Sequence, residues 1–360
     1  MRSSLICCLL LLCPALFADD SLHRYLYLST PDGAQSGGSD HHGILVFDID
    51  QGHRFVRRID IPGLSDIRGF CGNAKNHAVY YSTTSLRLGA FDIEKDQVIW
   101  DRRYEAGCDR ACITPDGKTI YSPTGWWWKG TNSGFLVIDA ASGDVTQRIP
   151  VGPMAHNSLV SLDGRWVYLG TETTLSVFST QGNERVRQIT PVGESGVFPF
   201  TIDSRNRYAY VCLGKHVGFD VVDLRQSKVL HRVQVGEPAI AHRTHGAGLT
   251  PDEKELWISD QDGKKLFAFD NTVMPPTLKT NIALSAGGHG WITFSMAGDF
   301  AWCHTSDIID ARTKQVVTHL KDDQGKEVSS SKFIEVHFRN GKVVAMGDQF
   351  GLGRAPVPGR

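Results

Sequence analysis

Beyond its first eighteen residues the chain alternates apolar and polar positions with a period of two. Nowhere there does a 3.6-residue apolar spacing mark out an amphipathic helix. Polar turn pairs separate short apolar runs at Lys75-Asn76, Asp116-Gly117, Asp163-Gly164, Arg205-Asn206, Asp252-Glu253, Ala297-Gly298 and Asn340-Gly341. Their second residues lie 41, 47, 42, 47, 45 and 43 positions apart. A strand rich in β-branched and aromatic residues follows the turns, as at 78–81, 119–121, 166–169, 208–211 and 256–258. A second strand then usually ends in Asp, as at Asp48, Asp92, Asp139, Asp223, Asp270 and Asp310, with 175–179 a variant ending in Ser179. A polar turn and a further strand, such as 145–150, complete the unit. Four short strands in about 45 residues is the period of a β-propeller blade.

Seven strands of the Asp-ending kind predict seven blades. The expected architecture is all-β: a seven-bladed β-propeller of four-stranded antiparallel blades, a single domain over 19–360. Strand 24–28 lacks an innermost partner, and 333–338 supplies one from the other end of the chain. N- and C-terminal strands then close one blade and hide both sheet edges. Strand 343–346 is surplus to this count and leaves an eighth, partial blade as an alternative.

The first residues read differently. One positive charge precedes an apolar run too short to span a bilayer, and small residues lead to Asp19-Asp20. This is the layout of a secretory signal peptide, 1–18, cleaved after Ala18, and it predicts a secreted or periplasmic protein. Composition acts mainly by exclusion. With 41% hydrophobic and 21% charged residues, 37 Gly and 15 Pro, the chain is neither disordered nor collagen-like nor a multi-span membrane protein. The 38 Lys+Arg against 39 Asp+Glu leave a net charge of −1, so nothing calls for nucleic acid or an anionic membrane as a partner. A monomer is expected. Of the cysteines outside the leader, Cys71, Cys212 and Cys303 suit buried strand positions, whereas Cys108 and Cys112 are near enough to bridge in an oxidising compartment.

Two stretches carry a family resemblance. Residues 151–168, with Gly152-Pro153, His156, Asp163-Gly164 and Trp166, and 245–258, with His245-Gly246, Pro251-Asp252 and Trp257, resemble the repeat of YVTN-type seven-bladed propellers. The resemblance implies the fold. It implies no one activity, because such propellers include lactonases, amine-dehydrogenase subunits, polysaccharide lyases and binding scaffolds.

Repetition also permits the blades to be registered onto one another. The residue eight before each turn's second member sits at the head of the innermost strand, beside the central axis. Those residues are Arg68, Asp109, His156, Phe198, His245, Gly290 and Phe333, with Cys108, Arg110, Asn157, His289, Trp291 and Lys332 next to them. Two loops are expected to open on the same face: 29–43, carrying Asp40, His41 and His42, and 123–134, carrying Trp126, Trp127, Trp128 and Lys129. Three consecutive tryptophans cannot all enter a core, since neighbours in extended chain face opposite ways, so they predict an exposed aromatic platform. Trp166, Trp257 and Trp302 are expected in the core, and His216 and His231 on the surface.

This constellation suits β-elimination on a uronate-containing polysaccharide, the chemistry of several lyase propellers built on His/Arg clefts. Arg110 or Arg243 would neutralise the carboxylate, and His156, His245 or His42 would act as base and acid. Trp126, Trp127, Trp128, His42, His289, Trp291 and Lys332 would line the saccharide cleft. Two other readings stay open. One is a metal-dependent hydrolase or lactonase, with Zn or Cu on His156, His245 and His289, or a divalent cation such as calcium in the channel beside Asp109 and Glu335. The other is a non-enzymatic propeller that binds a glycan or a protein.

Overall fold

The computed structural model describes residues 21–30, 43–64, 67–126, 133–194, 196–197, 199–236 and 242–354. The leader, His42, Trp127, Trp128 and Phe198 lie outside the described residues. Within them the strands form seven antiparallel sheets, the blades of a propeller, and the one helical element is a 3-10 turn at Ala74–Asn76. Blades 1 to 6 are four-stranded and built from 67–103, 112–150, 157–189, 200–234, 244–283 and 293–319, each strand lying beside the next in sequence. No helix among the described residues is long and apolar enough to cross a membrane.

The recurrent Asp that closes the third strand of a blade has a local cause. Asp92 accepts the N–H groups of Glu94 and Lys95, Asp139 those of Ala141 and Ser142, Asp223 those of Arg225 and Gln226, and Asp310 those of Arg312 and Thr313. One carboxylate thus satisfies the backbone donors that leave the sheet at the turn, so the reversal is encoded by a single residue. Between neighbouring blades, alternate strand positions supply the core. Tyr121, Phe135, Val167 and Phe178 pack between blades 2 and 3, and Tyr210, Phe219, Ile258 and Phe269 between blades 4 and 5. Trp257 and Trp302 are fully buried, whereas Trp166 is half-buried beneath Arg187.

Strand Leu22–Thr30 pairs with Gly43–Asp48 on one side and with Phe333–Arg339 on the other, from Leu22↔Arg339 to Leu28↔Phe333. The two ends of the chain therefore close blade 7. The surplus strand begins no eighth blade. Lys342–Asp348 pairs with the inner edge of Phe333–Arg339, which makes this sheet five-stranded and lays the last strand along the axis.

The chain then turns within the channel. Asp348 Oδ1 accepts the N–H groups of Phe350 and Leu352 at 2.9 and 3.1 Å. Phe350 meets the Trp291 ring edge-on, with centroids 5.4 Å apart, and the half-buried Arg354 donates to the Ile202 carbonyl of blade 4 at 2.8 Å. The C-terminal segment thus crosses from blade 7 to blade 4 and fills the space a bare propeller would leave open. Burial there pushes the Asp348 carboxyl up to about 7. Glu335 does not line an open channel: it accepts the Met296 N–H at 2.6 Å and contacts His337 Nε2 at 2.7 Å, tying blade 6 to blade 7. The five cysteines among the described residues are buried thiols. Cys108 and Cys112 are not bridged, and Cys108 Sγ donates to the Arg87 carbonyl.

Candidate functional site

The heads of the innermost strands approach one another so closely that backbone packs on backbone. A Cβ at Gly69 would lie 2.5 Å from the Asp109 carbonyl oxygen, and one at Gly246 would lie 2.1 Å from that of Gly290. Glycine at these two positions lets blades 1 and 2, and blades 5 and 6, close around the axis. Arg110 forms a parallel bridge with Asn157, and Ser158 donates to the Arg110 carbonyl at 3.0 Å, which pins the head of blade 2 to that of blade 3.

Asp109 is the hub of this mouth. Arg68 Nε donates to its Oδ1 at 3.1 Å, and His156 Nδ1 meets its Oδ2 at 2.7 Å. Arg110 Nη1 lies 3.8 Å from the same carboxylate and 2.9 Å from His156 Nε2. A guanidinium only donates, so Nε2 accepts and the proton of His156 sits on Nδ1, pointing at Asp109. Burial disfavours charge on both groups. For the imidazole, Arg110 and Arg68 add to that effect against Asp109, and His156 is pushed down to about 4. For the carboxyl, the hydrogen-bonded His156 and the Arg68 and Arg110 guanidiniums outweigh burial and hold Asp109 well below the ordinary carboxylate range. The pair is therefore a carboxylate beside a neutral imidazole.

Four further side chains complete the mouth. The buried Trp291 lies under Arg110, whose guanidinium carbon is 5.7 Å from the ring centroid. His245 is buried against the half-exposed His289, with ring centroids 4.0 Å apart. Burial first, then His289, Arg110 and His156, hold His245 well below the ordinary histidine range, so it too is neutral. The half-exposed Trp126 meets His156 at 5.3 Å between centroids.

The structure thus brings together Arg110, His156, His245, His289, Trp126 and Trp291. Arg243 stands apart: it is exposed, with its N–H directed to Asp262 Oδ2 and its carbonyl accepting the Gln261 N–H. The innermost strand of blade 5 begins at Thr244, so the alternation that turns His245 inward does not extend to Arg243. Lys332 is buried at the closure of blade 7, with its ammonium on the Ser331 hydroxyl. Sequence reasoning missed the floor, where Phe350 supports Trp291, because nothing local joins residue 350 to the axis of blade 6.

The described donors of the mouth do not make up a metal site. His156 commits both ring nitrogens within the network, Asp109 serves Arg68 and His156 beside Arg110, and Glu335 is tied to blade 6. Among the described residues, no three His, Cys, Asp or Glu groups are placed to share an ion.

Neutral buried histidines give a pH signature. His53, which accepts the Trp302 indole N–H at 3.1 Å, is likewise pushed down by burial to about 4. Unfolded histidine binds its proton near pH 6.5, so between pH 6.5 and 4 the unfolded state holds more protons and stability falls with pH. His53 and His156 each stand to lose on the order of 3 kcal/mol across that window. Asp348, with its raised value, acts in the opposite direction, but three imidazoles counting His245 outweigh one carboxyl. The thermal midpoint is expected to drop between pH 7.5 and 5; a flat or rising profile would contradict the neutral assignments.

Fold and site together define a seven-bladed β-propeller with an Asp-His-Arg cluster at its axial mouth. No family model matches the chain, and no curated protein matches it. Among solved structures it is similar to Kuenenia stuttgartiensis hydrazine synthase, with a TM-score of 0.57 and 15% identity over 80% of this chain and 90% of that one. It is also similar to the Cps50 (Swd1) β-propeller domain of Myceliophteria thermophila, with a TM-score of 0.60 and 9% identity over 76% and 89%. At such identities the likeness shows the fold alone, and the YVTN-type resemblance is carried no further than that.

Proposed function

We propose that the axial mouth binds an acidic saccharide and cleaves it by β-elimination at a uronate. The observation that carries this reading is the edge-on His245–His289 contact beside Arg110, which sets a neutral His245 and its half-exposed partner imidazole next to a fixed positive charge. Elimination needs both. His289, the half-exposed member, takes the C5 proton; the C4=C5 double bond forms as the C4–O bond breaks; and the same imidazole returns the proton to the departing oxygen. No oxidant or reductant enters. Arg110 is too deeply buried for direct contact, so it acts from beneath as a fixed charge favouring the uronate carboxylate and the charge that develops at C5. His156 is not the base, because its Nε2 already accepts from Arg110. Trp126 offers a flat apolar face to a sugar ring. With 1–18 removed as a secretory leader, such an enzyme would meet extracellular polysaccharides.

One observation favours a second reading. His156, Arg110 and Trp291 are buried as in a structural axle, which suits a propeller that binds the same saccharide without cleaving it. The test incubates the purified chain with acidic and neutral polysaccharides while following the ultraviolet absorbance of an unsaturated uronate. Product from an acidic polysaccharide supports elimination. Binding without product supports the scaffold, and neither binding nor product overturns both readings.

A further inference from the structure

Between blades 4 and 5, at the end of the sheets where the axial mouth opens, a separate pocket of about 210 Å³ is lined by His216, Gln234, His242, Asp260, Lys265 and Phe267 among others. Both histidines, one of them expected to be an ordinary surface residue, are held by carboxylates. His216 Nδ1 meets Glu194 Oε1 at 2.8 Å, and His242 Nδ1 meets Asp260 Oδ2 at 3.1 Å.

The carboxylates are fixed in turn. Glu194 accepts the Lys215 N–H at 2.9 Å and Arg232 Nη1 at 3.4 Å, and Arg232 clamps the buried Asp220 with two bonds of 2.8 and 2.9 Å. Asp260 accepts the N–H groups of Asp262 and Gly263. A Cβ at Gly263 would lie 1.9 Å from Asp260 Oδ2, so glycine is what lets this carboxylate reach its histidine. Both rings are thus set in one orientation. With Nδ1 committed to a carboxylate, Nε2 is the nitrogen left to a ligand, and about a third of each side chain is exposed, 35% and 33%.

The walls select among ligand classes. Carboxylates behind both imidazoles disfavour an anion, and two nitrogens are too few for a closed metal site. Two acceptor nitrogens, the Gln234 amide, the Lys265 ammonium and the half-buried Phe267 ring offer a mixture of acceptors, donors and a flat apolar face. The volume corresponds to roughly seven waters, the scale of one pyranose ring. We infer that this pocket holds a single neutral pyranose unit, with the two Nε2 atoms accepting hydroxyl protons, Lys265 donating to a ring or hydroxyl oxygen, and Phe267 lying along the C–H face. The inference does not depend on chemistry at the axial mouth.

The test titrates the full chain with the methyl glycosides of glucose, galactose and mannose, using saturation-transfer NMR, with zinc chloride as a separate titration. At least one glycoside is expected to bind, and His216→Ala, His242→Ala and Lys265→Met are each expected to weaken it at least tenfold. His216→Gln and His242→Gln, with their thermal midpoints measured, separate loss of binding from loss of fold. No binding by any glycoside overturns the assignment, as does binding indifferent to both histidines. A response of the two imidazoles to zinc alone also overturns it. These variants leave the axial residues intact, so their outcome is independent of any uronate product formed there.

Discussion

A chain ending at Lys332 is expected to show no cooperative unfolding transition. Such a truncation removes Phe333–Arg339, the inner neighbour of Leu22–Thr30, paired with it from Leu22 to Leu28. It also removes Lys342–Asp348 and the turn that fills the channel. The buried side chains of Phe333, Ile334, Val336, Met346 and Phe350 go with them. At roughly 1.5–3 kcal/mol each, their burial amounts to about 10 kcal/mol, comparable with the whole 5–15 kcal/mol margin of a typical domain. The ring opens at the same time, leaving the inner edge of Leu22–Thr30 unpaired. Circular dichroism during heating reads the result. A chain ending at Arg339 keeps the closure and loses the axial strand with the turn that fills the channel, so it is expected to fold with a lowered midpoint. A Lys332 truncation that melts like the full chain would show that closure is not what holds the propeller.

His289→Ala is expected to lower turnover of a uronate substrate about 10²–10⁴-fold, the usual worth of a general acid or base, with the thermal midpoint unchanged. His289 is half-exposed, so its removal opens no core cavity. His245 is buried in contact with it, and His245→Ala is expected to cost both turnover and stability. Arg110→Lys keeps the charge but not the planar fork that reaches His156 and lies over Trp291, and should chiefly raise KM for the acidic substrate. Arg243→Ala, at an exposed residue outside the bonded cluster, should change neither parameter. Full activity in His289→Ala would end the assignment of the base.

The repeat was legible because each blade is encoded locally. A turn pair, a period-two strand and an Asp whose carboxylate caps the reversal recur in sequence, and each operates within a few residues, as Asp92, Asp139 and Asp310 do. Registering the blades brought Asp109, His156 and His245 to one mouth on the same ground, since equivalent positions of a closed ring surround one axis. Arg243 fell outside because strand alternation says nothing about a residue that precedes the strand.

By itself, then, the chain determined the all-β class, the seven blades, the closure by its two ends and the residues that head the innermost strands. All of these follow from spacing. Tertiary structure alone decided where strand Lys342–Asp348 lies, since a strand pattern does not say which edge it will join. It alone decided that His156 is neutral and spent, because the guanidinium that occupies Nε2 comes from Arg110 on a neighbouring blade. And it alone placed Phe350 beneath Trp291 and set His216 and His242 on the walls of one pocket. These contacts join residues distant in sequence, whose energies depend on burial and on neighbouring charges that no local pattern contains.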